Sequence, residues 1–310
     1  MRYLVVGHGN IGQRRARLLG ERCVATVDPH VPGATHRAID DVPTQSYDAA
    51  ILATPNGAKL PYLRHLLALG KSVLVEKPLL FASWDEAEAL QRRTVPGTTW
   101  YTSYNHRYEP LVERLRGLLR DGAVGAVDRV RMVYGNGTVR NWRGTWRESG
   151  LGVLEDLGCH LLDLAGWLLG DATTGWDLWD LRPVESRTYD YALFASTDRR
   201  LVLEAGTVFW KNCFRVDVYG SGGSLHLDGL GKWGGASLTH RTRVYPSGAP
   251  REIREETGAV DDTWAADLAE FERLAASGVS SLANDWWISE AMAALARQAP
   301  TLEVPEPVAS

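Results

Sequence analysis

The chain has 310 residues, a formal net charge of -4, and 45% hydrophobic against 23% charged residues, ordinary proportions for a globular protein with room for two cores. A pI near 6.1 gives no general electrostatic case for nucleic acid or an anionic membrane as partner. Cys23, Cys159 and Cys213 are far apart and form no metal-type pair, which suggests a reducing compartment. The opening apolar run is too short for a signal peptide, and a cytoplasmic protein with no membrane span is expected.

Tyr3 to Val6 reads as a short strand, followed at once by Gly7-His8-Gly9-Asn10-Ile11-Gly12 and a helical pattern through Leu19. This is G-x-G-x-x-G between strand and helix. The first glycine permits the tight turn, the second lets a diphosphate approach the backbone, and the third lets helix and strand pack closely. The N–H groups of the helix start, at Asn10 and Ile11, would meet that diphosphate. A second strand, Cys23 to Val27, ends in Asp28, about twenty residues on, where a carboxylate would accept from the adenosine ribose hydroxyls. A carboxylate repels a 2'-phosphate, and Pro29 and His30 supply no arginine to receive one. NAD is therefore expected over NADP, with Arg37 the one nearby residue that could still reach in.

A third strand over Ala49 to Ala53 ends in Thr54-Pro55-Asn56, and a leucine-rich helix closed by Gly70 follows. Ser72 to Glu76 is too short and too evenly apolar for a helix and reads as a buried strand ending in Glu76-Lys77-Pro78. Ligands of open α/β sheets sit beyond the carboxyl ends of the strands, which makes Lys77 the leading acid/base candidate. Lysine occurs only at 59, 71, 77, 211 and 232; nearly every other basic position is arginine, which does not exchange its proton near neutrality. A solvated strand-end lysine is the plainer alternative. Ser83 can cap a helix with Asp85 and Glu86 in its first turn, and Thr98 to Tyr104 is a last strand before Asn105-His106-Arg107. This alternation predicts a doubly wound parallel sheet.

A helix over Pro110 to Arg120 leads out, and the expected division is residues 1–121 for dinucleotide binding and 122–310 for an α+β domain that binds substrate. Strands are expected over Val127 to Tyr134, Ser186 to Ser196, Leu201 to Phe209 and Phe214 to Tyr219, in a mostly antiparallel sheet. Helices are expected over Asp262 to Ala276 and Asp285 to Arg297, before a loose Pro-rich tail. Between Gly135 and Gly152, Trp142, Arg143, Trp146 and Arg147 could wall a polar pocket, with loop packing as the alternative. In the helix that follows, Leu157, Leu161, Leu164 and Leu168 form one stripe, while Asp156, His160 and Asp163 fall at i, i+4 and i+7 on another. Asp156 could orient the His160 imidazole or grip a substrate hydroxyl; a core histidine bonded to a carboxylate is the alternative. No further His or Cys stands at ligand spacing, so no metal is expected.

Taken in order, Gly7 to Gly12, Asp28, Ala53-Thr54-Pro55-Asn56, Glu76-Lys77-Pro78, Asn105-His106-Arg107-Tyr108 and Asp156-x-Gly158-x-His160-x-x-Asp163 resemble the glucose-fructose oxidoreductase, inositol dehydrogenase and MocA family. The resemblance implies an N-terminal Rossmann domain and a C-terminal open sheet used for oligomer contacts, hence a homodimer or homotetramer. It also implies that Lys77 is catalytic and that Asp156 and His160 lie beside the substrate. Thr54, Pro55, Asn56 and Glu76 would then meet the cofactor, and Asn105 and Arg107 the substrate. Family members often carry a histidine soon after the Pro-Asn pair, where this chain has Lys59.

The function expected is reversible oxidation of a secondary hydroxyl on a sugar, a phosphate- or nucleotide-bearing sugar derivative, or a cyclitol. Hydride would pass to nicotinamide C4, Lys77 would take the hydroxyl proton, and His160 would be the alternative base or a relay. Two rivals keep the fold: an NAD-dependent glycosidase working by transient oxidation, and a non-catalytic cofactor-sensing regulator. Intact Lys77, Asp156 and His160 argue against the regulator.

Overall fold

The computed structural model describes residues 1–145, 147–170 and 175–302; Trp146 and the end of the Pro-rich tail lie outside them. The chain divides into two units, Met1–Asn105 with Thr263–Ser289, and His106–Asp262 with Glu290–Ser310.

In the first unit, β1 (Tyr3–Val6), α1 (Asn10–Leu19), β2 (Cys23–Val27), β3 (Ala49–Leu52), α2 (Asn56–Ala68), β4 (Ser72–Glu76), α3 (Trp84–Arg93) and β5 (Trp100–Ser103) alternate along the chain. The strands form one parallel sheet in the order β2-β1-β3-β4-β5. The order reverses at β1, and the crevice beyond the strand ends at such a reversal is where these sheets bind ligands. Successive residues of a strand face opposite sides. Leu4, Val6, Ala50, Leu52, Val73 and Val75 join one core, and Tyr3, Val5, Ala49, Ile51, Leu74 and Tyr101 the other. Both faces are covered, which is why these strands read as continuous apolar runs.

In the second unit, α4 (Pro110–Arg120), with proline in its first turn, precedes β6 (Val127–Gly135). A single π-helical turn, Leu154–Gly158, runs into α5 (Cys159–Leu169). Then come β7 (Trp176–Arg182), β8 (Tyr191–Ser196), β9 (Leu201–Gly206), β10 (Cys213–Gly220), β11 (Gly223–Leu230), β12 (Gly235–Thr242) and β13 (Arg251–Thr257). They make an eight-stranded sheet, order β13-β12-β11-β10-β6-β9-β8-β7. Only β6 and β9 pair in parallel, and the other neighbours are antiparallel. Phe214, Val216, Val218, Leu225, Leu227 and Leu238 are buried. The alternate positions Arg215, Asp217, His226, Asp228, Ser237, Thr239, Arg241 and Arg254 line a polar groove.

The four expected strands of this sheet are present, with two trimmed. The strand expected from Ser186 begins only at Tyr191, because the preceding residues turn around Asp190, whose carboxylate accepts from the N–H groups of Val184, Glu185 and Ser186. The strand expected to reach Phe209 stops at Gly206. Four further strands, β7 and β11 to β13, complete the sheet.

The chain ends with α6 (Thr263–Ser277) and α7 (Leu282–Ala296). The expected boundary at 121/122 needs correction: the first unit closes at Asn105, and Thr263–Ser289 returns to it. The cause is burial. The core face bearing Tyr3, Val5 and Ile51 is covered by Leu268, Phe271 and Ala275 of α6, with Leu19 of α1, and Leu282 and Trp286 pack on the opposite core. The fully buried Trp100 donates its indole N–H to Asp285 at 2.9 Å, a bond its burial requires.

Candidate cofactor and proton-transfer sites

The turn after β1 is shaped by its glycines. Gly7 has φ +94, and a Cβ there would lie 2.4 Å from the Ala53 carbonyl oxygen; at Gly12 it would lie 1.8 Å from the Gly7 carbonyl oxygen. A Cβ at Gly9 would meet nothing within 4 Å. The outer glycines are needed for packing, while the middle one keeps space open before the first residues of α1, Asn10 and Ile11, whose helix start has no side-chain cap. Open space before uncapped N–H groups suits a diphosphate. The Thr54 hydroxyl, just beyond β3, is buried without a hydrogen-bond partner among the described residues, a group a bound ligand would satisfy. Pro55 caps α2.

Asp28 ends β2 and ties the turn to it. Its Oδ2 accepts from the His8 N–H at 2.8 Å, and its Oδ1 from the N–H groups of His30 and Val31, both at 2.9 Å. Burial alone would raise its pKa, but these donors hold the carboxylate below its ordinary range. The Arg37 guanidinium reaches the same corner, donating to the carbonyls of Val31 at 3.1 Å and Asp28 at 3.3 Å.

Lys77 lies half-buried immediately after β4. Its neighbourhood is fixed by two buried cations that composition and spacing left unremarked in this role. Arg15 of α1, fully buried, donates through Nε to Glu76 at 2.7 Å, and through Nη2 to Ser103 at 2.7 Å and Asp267 at 2.8 Å. Asp267 also accepts from the hydroxyls of Ser103 at 2.7 Å and Tyr101 at 2.9 Å. Burial works to discharge the guanidinium, but Glu76 and Asp267 hold its proton, and its pKa lies above the usual value. The Trp264 ring lies 4.4 Å from the same guanidinium. Lys59 of α2, only 1% exposed, donates to the Asn56 side-chain carbonyl at 2.8 Å and to the main-chain carbonyls of Lys77 at 2.9 Å and Pro78 at 2.7 Å. Glu76 and Asn56, both expected beside the cofactor, thus each hold a cation of this unit. Asn105 donates to the Thr263 hydroxyl at 2.9 Å.

In the second unit, the π turn alters the register between Asp156 and His160, so the i, i+4, i+7 stripe is broken. The Asp156 carboxylate lies 3.8 Å from the Arg147 guanidinium. Asp163 is clasped by Arg107 through both Nε, at 2.8 Å, and Nη2, the bidentate geometry that arginine favours. His160, 5% exposed, stacks on His106 with ring centroids 4.3 Å apart and planes 11° from parallel. His106 Nε2 lies 3.0 Å from the Tyr134 hydroxyl, which also accepts from Lys232 at 3.4 Å. Burial drives the Tyr134 phenol pKa far up, so this hydroxyl keeps its proton. His160 therefore belongs to a cluster with His106, Tyr134 and Lys232. Its only sequence trace is His106 beside Arg107, since Tyr134 and Lys232 lie far away along the chain.

Trp142, expected in a pocket wall or in loop packing, is buried at 3% exposure. Arg143 is exposed. Among the described residues, no helix is long and apolar enough to cross a membrane.

A parallel sheet with its order reversal at β1, a glycine turn open toward a helix start and a carboxylate closing β2 define a dinucleotide-binding protein of the Rossmann class. Residues 1–95 match the model of an oxidoreductase family with an NAD-binding Rossmann fold, and residues 112–226 match the GFO/IDH/MocA C-terminal domain. The chain belongs to this family. It is 32% identical over 197 residues to the uncharacterized oxidoreductase YdgJ of Escherichia coli, covering 59% of this chain and 54% of that protein. It is 24% identical over 230 residues to the scyllo-inositol 2-dehydrogenase (NADP(+)) IolW of Bacillus subtilis, covering 72% and 59% respectively. The chain thus spans little more than half the length of these relatives. The crystal structure of UDP-N-acetylglucosamine 3-dehydrogenase GnnA from Acidithiobacillus ferrooxidans superposes with a TM-score of 0.74 at 18% identity, over 96% of this chain and 98% of that one, a likeness of fold.

Proposed function

We propose that the protein is a dehydrogenase that oxidises a secondary hydroxyl of a sugar, a phosphate- or nucleotide-bearing sugar derivative or a cyclitol, with NAD preferred. The observation that carries the reading is the half-buried Lys77 at the carboxyl end of the buried strand β4, in the same unit as the open Gly9 turn. The nicotinamide, when bound, supplies the hydride acceptor. Lys77 takes the hydroxyl proton. A cyclitol is the substrate of one named relative.

Asp28 favours NAD, since an anionic carboxylate repels a 2'-phosphate. Arg37, at the carbonyls of Asp28 and Val31, is the group that would admit NADP. The polar side of the eight-stranded sheet is proposed as the contact of a homodimer or homotetramer. The three free cysteines fit a cytoplasmic setting.

The test is a reduction screen with NAD and NADP in parallel across free sugars, cyclitols and nucleotide sugars, with Lys77→Met beside the wild type. Turnover is expected with at least one class, and a loss of about a hundredfold or more in the variant with NADH binding retained. Wild-type rates in Lys77→Met overturn the assignment.

A further inference from the structure

We infer that Lys59 is a positioning residue for Lys77, its buried ammonium fixing the main chain from which the Lys77 side chain departs. The inference rests on Lys77 being the acid/base group.

An ammonium has three protons and no acceptor. At Lys59, oxygens of Asn56, Lys77 and Pro78 stand at 2.8, 2.9 and 2.7 Å, enough to receive all three. A lysine buried to 1% exposure is tolerated only where such partners repay its lost hydration. The three oxygens therefore form a pocket built for a cation. Its place explains its use. The β4–β5 ladder runs to the pair Glu76↔Ser103, so Lys77 and Pro78 lie just beyond the hydrogen bonds that fix the strand.

Two cations take over there. Arg15 grips the Glu76 carboxylate, the last point of the ladder, and Lys59 grips the next two carbonyls. The Lys77 side chain springs from the Cα that lies between these grips. A reacting group displaced by about 1 Å costs on the order of a hundredfold in rate, so a loosened Lys77 carbonyl is felt in turnover before it is felt in binding. A neutral imidazole at this position has one N–H to donate and could not hold three oxygens.

The test compares Lys59→Met, Lys59→Gln and Lys59→Arg with wild type and Lys77→Met. Each full-length protein is assayed for thermal stability, for NADH affinity by fluorescence titration, and for kcat and KM on the alcohol selected by the screen above. Lys59→Met is expected to lower kcat about thirtyfold or more, with NADH affinity and KM within about threefold of wild type. Lys59→Arg keeps the charge and several donors and should recover most of that loss; a merely structural role would track stability instead.

Wild-type kcat in a folded Lys59→Met overturns the inference. If that variant does not fold, Lys59→Gln, which can still donate to a carbonyl, is judged by the same criterion. An inactive Lys77→Met beside fully active Lys59 variants removes Lys59 alone from the mechanism. An active Lys77→Met, or a wild type that oxidises no alcohol in the screen, removes the reading beneath it.

Discussion

Replacing Asp267 by Ala tests whether α6 is bound to the first unit by charge as well as by apolar packing. The Arg15 and Asp267 side chains are both 0% exposed, with Glu76 14% exposed on the other side of the guanidinium. The substitution removes the buried partner at 2.8 Å and the acceptor of the Tyr101 and Ser103 hydroxyls, leaving a buried cation with Glu76 as its remaining carboxylate. Breaking one side of a buried pair costs about 3–5 kcal/mol, which for a unit of this size corresponds to a fall of roughly 10 °C in melting temperature. The assay is thermal and denaturant unfolding, with hydrogen exchange followed across Thr263–Ser289. The paired substitution Arg15→Met with Asp267→Leu removes both buried charges and should recover at least about half of the loss. A loss below about 1 kcal/mol in Asp267→Ala, or a pair as damaging as the sum of its singles, would refute the ionic account.

Gly9→Val should melt within about 2 °C of wild type, because a Cβ there meets nothing, yet lose NADH affinity about a hundredfold; unchanged titrations would show that the open turn holds no diphosphate. Gly12→Ala, driven against the Gly7 carbonyl, should instead destabilise the fold. Asp28 has a folded pKa below its unfolded one, so its contribution to stability is complete above pH ~4 and fades as pH falls through the folded value. Asp28→Asn should flatten the acid limb of stability against pH and narrow the preference for NAD over NADP; an unaltered acid limb contradicts the first expectation. Glu109 has the opposite sign, since burial raises its pKa against the Gly231 N–H and Lys232. Its ionised form is penalised in the folded chain as pH rises through that value. Glu109→Gln should therefore be more stable than wild type at neutral pH and equal to it near pH 4; a gap that widens toward acid would be the wrong sign.

The first unit was readable because each of its signals is local. Strand runs such as Tyr3 to Val6 and Ser72 to Glu76 are apolar on both faces, and the glycine turn and Asp28 sit at fixed offsets. The second sheet hid half its strands for a physical reason. In β11 only Leu225 and Leu227 alternate among Gly, Ser, His and Asp, and β13 carries charge on both faces with Ile253 exposed. Such strands are stabilised by cross-strand pairing that a single segment does not display. The site residues that were missed are joined over long distances along the chain, as Arg15 is to Asp267 and His106 to Tyr134. One trace existed: Gly12, Arg15 and Leu19 share the buried stripe of α1, and an arginine on such a stripe demands a buried acid somewhere. The π turn before His160 left no comparable trace, because leucines on most sides of that segment suit several helical registers.

The return of Thr263–Ser289 to the first unit bears on how the protein is made. A ribosome that has released residues 1–105 has delivered every strand of the parallel sheet, yet one face still lacks Leu268 and Phe271, the Trp100 indole has no Asp285, and the Arg15 guanidinium lacks one of its two carboxylates. The nascent unit must wait for about 180 more residues, at a translation rate of 5–20 residues per second, before it can close. An expression boundary drawn near residue 121 would hold it permanently in that unfinished form, and a chaperone that shelters apolar sheet surface during this interval would be most needed by the half of the chain that emerges first.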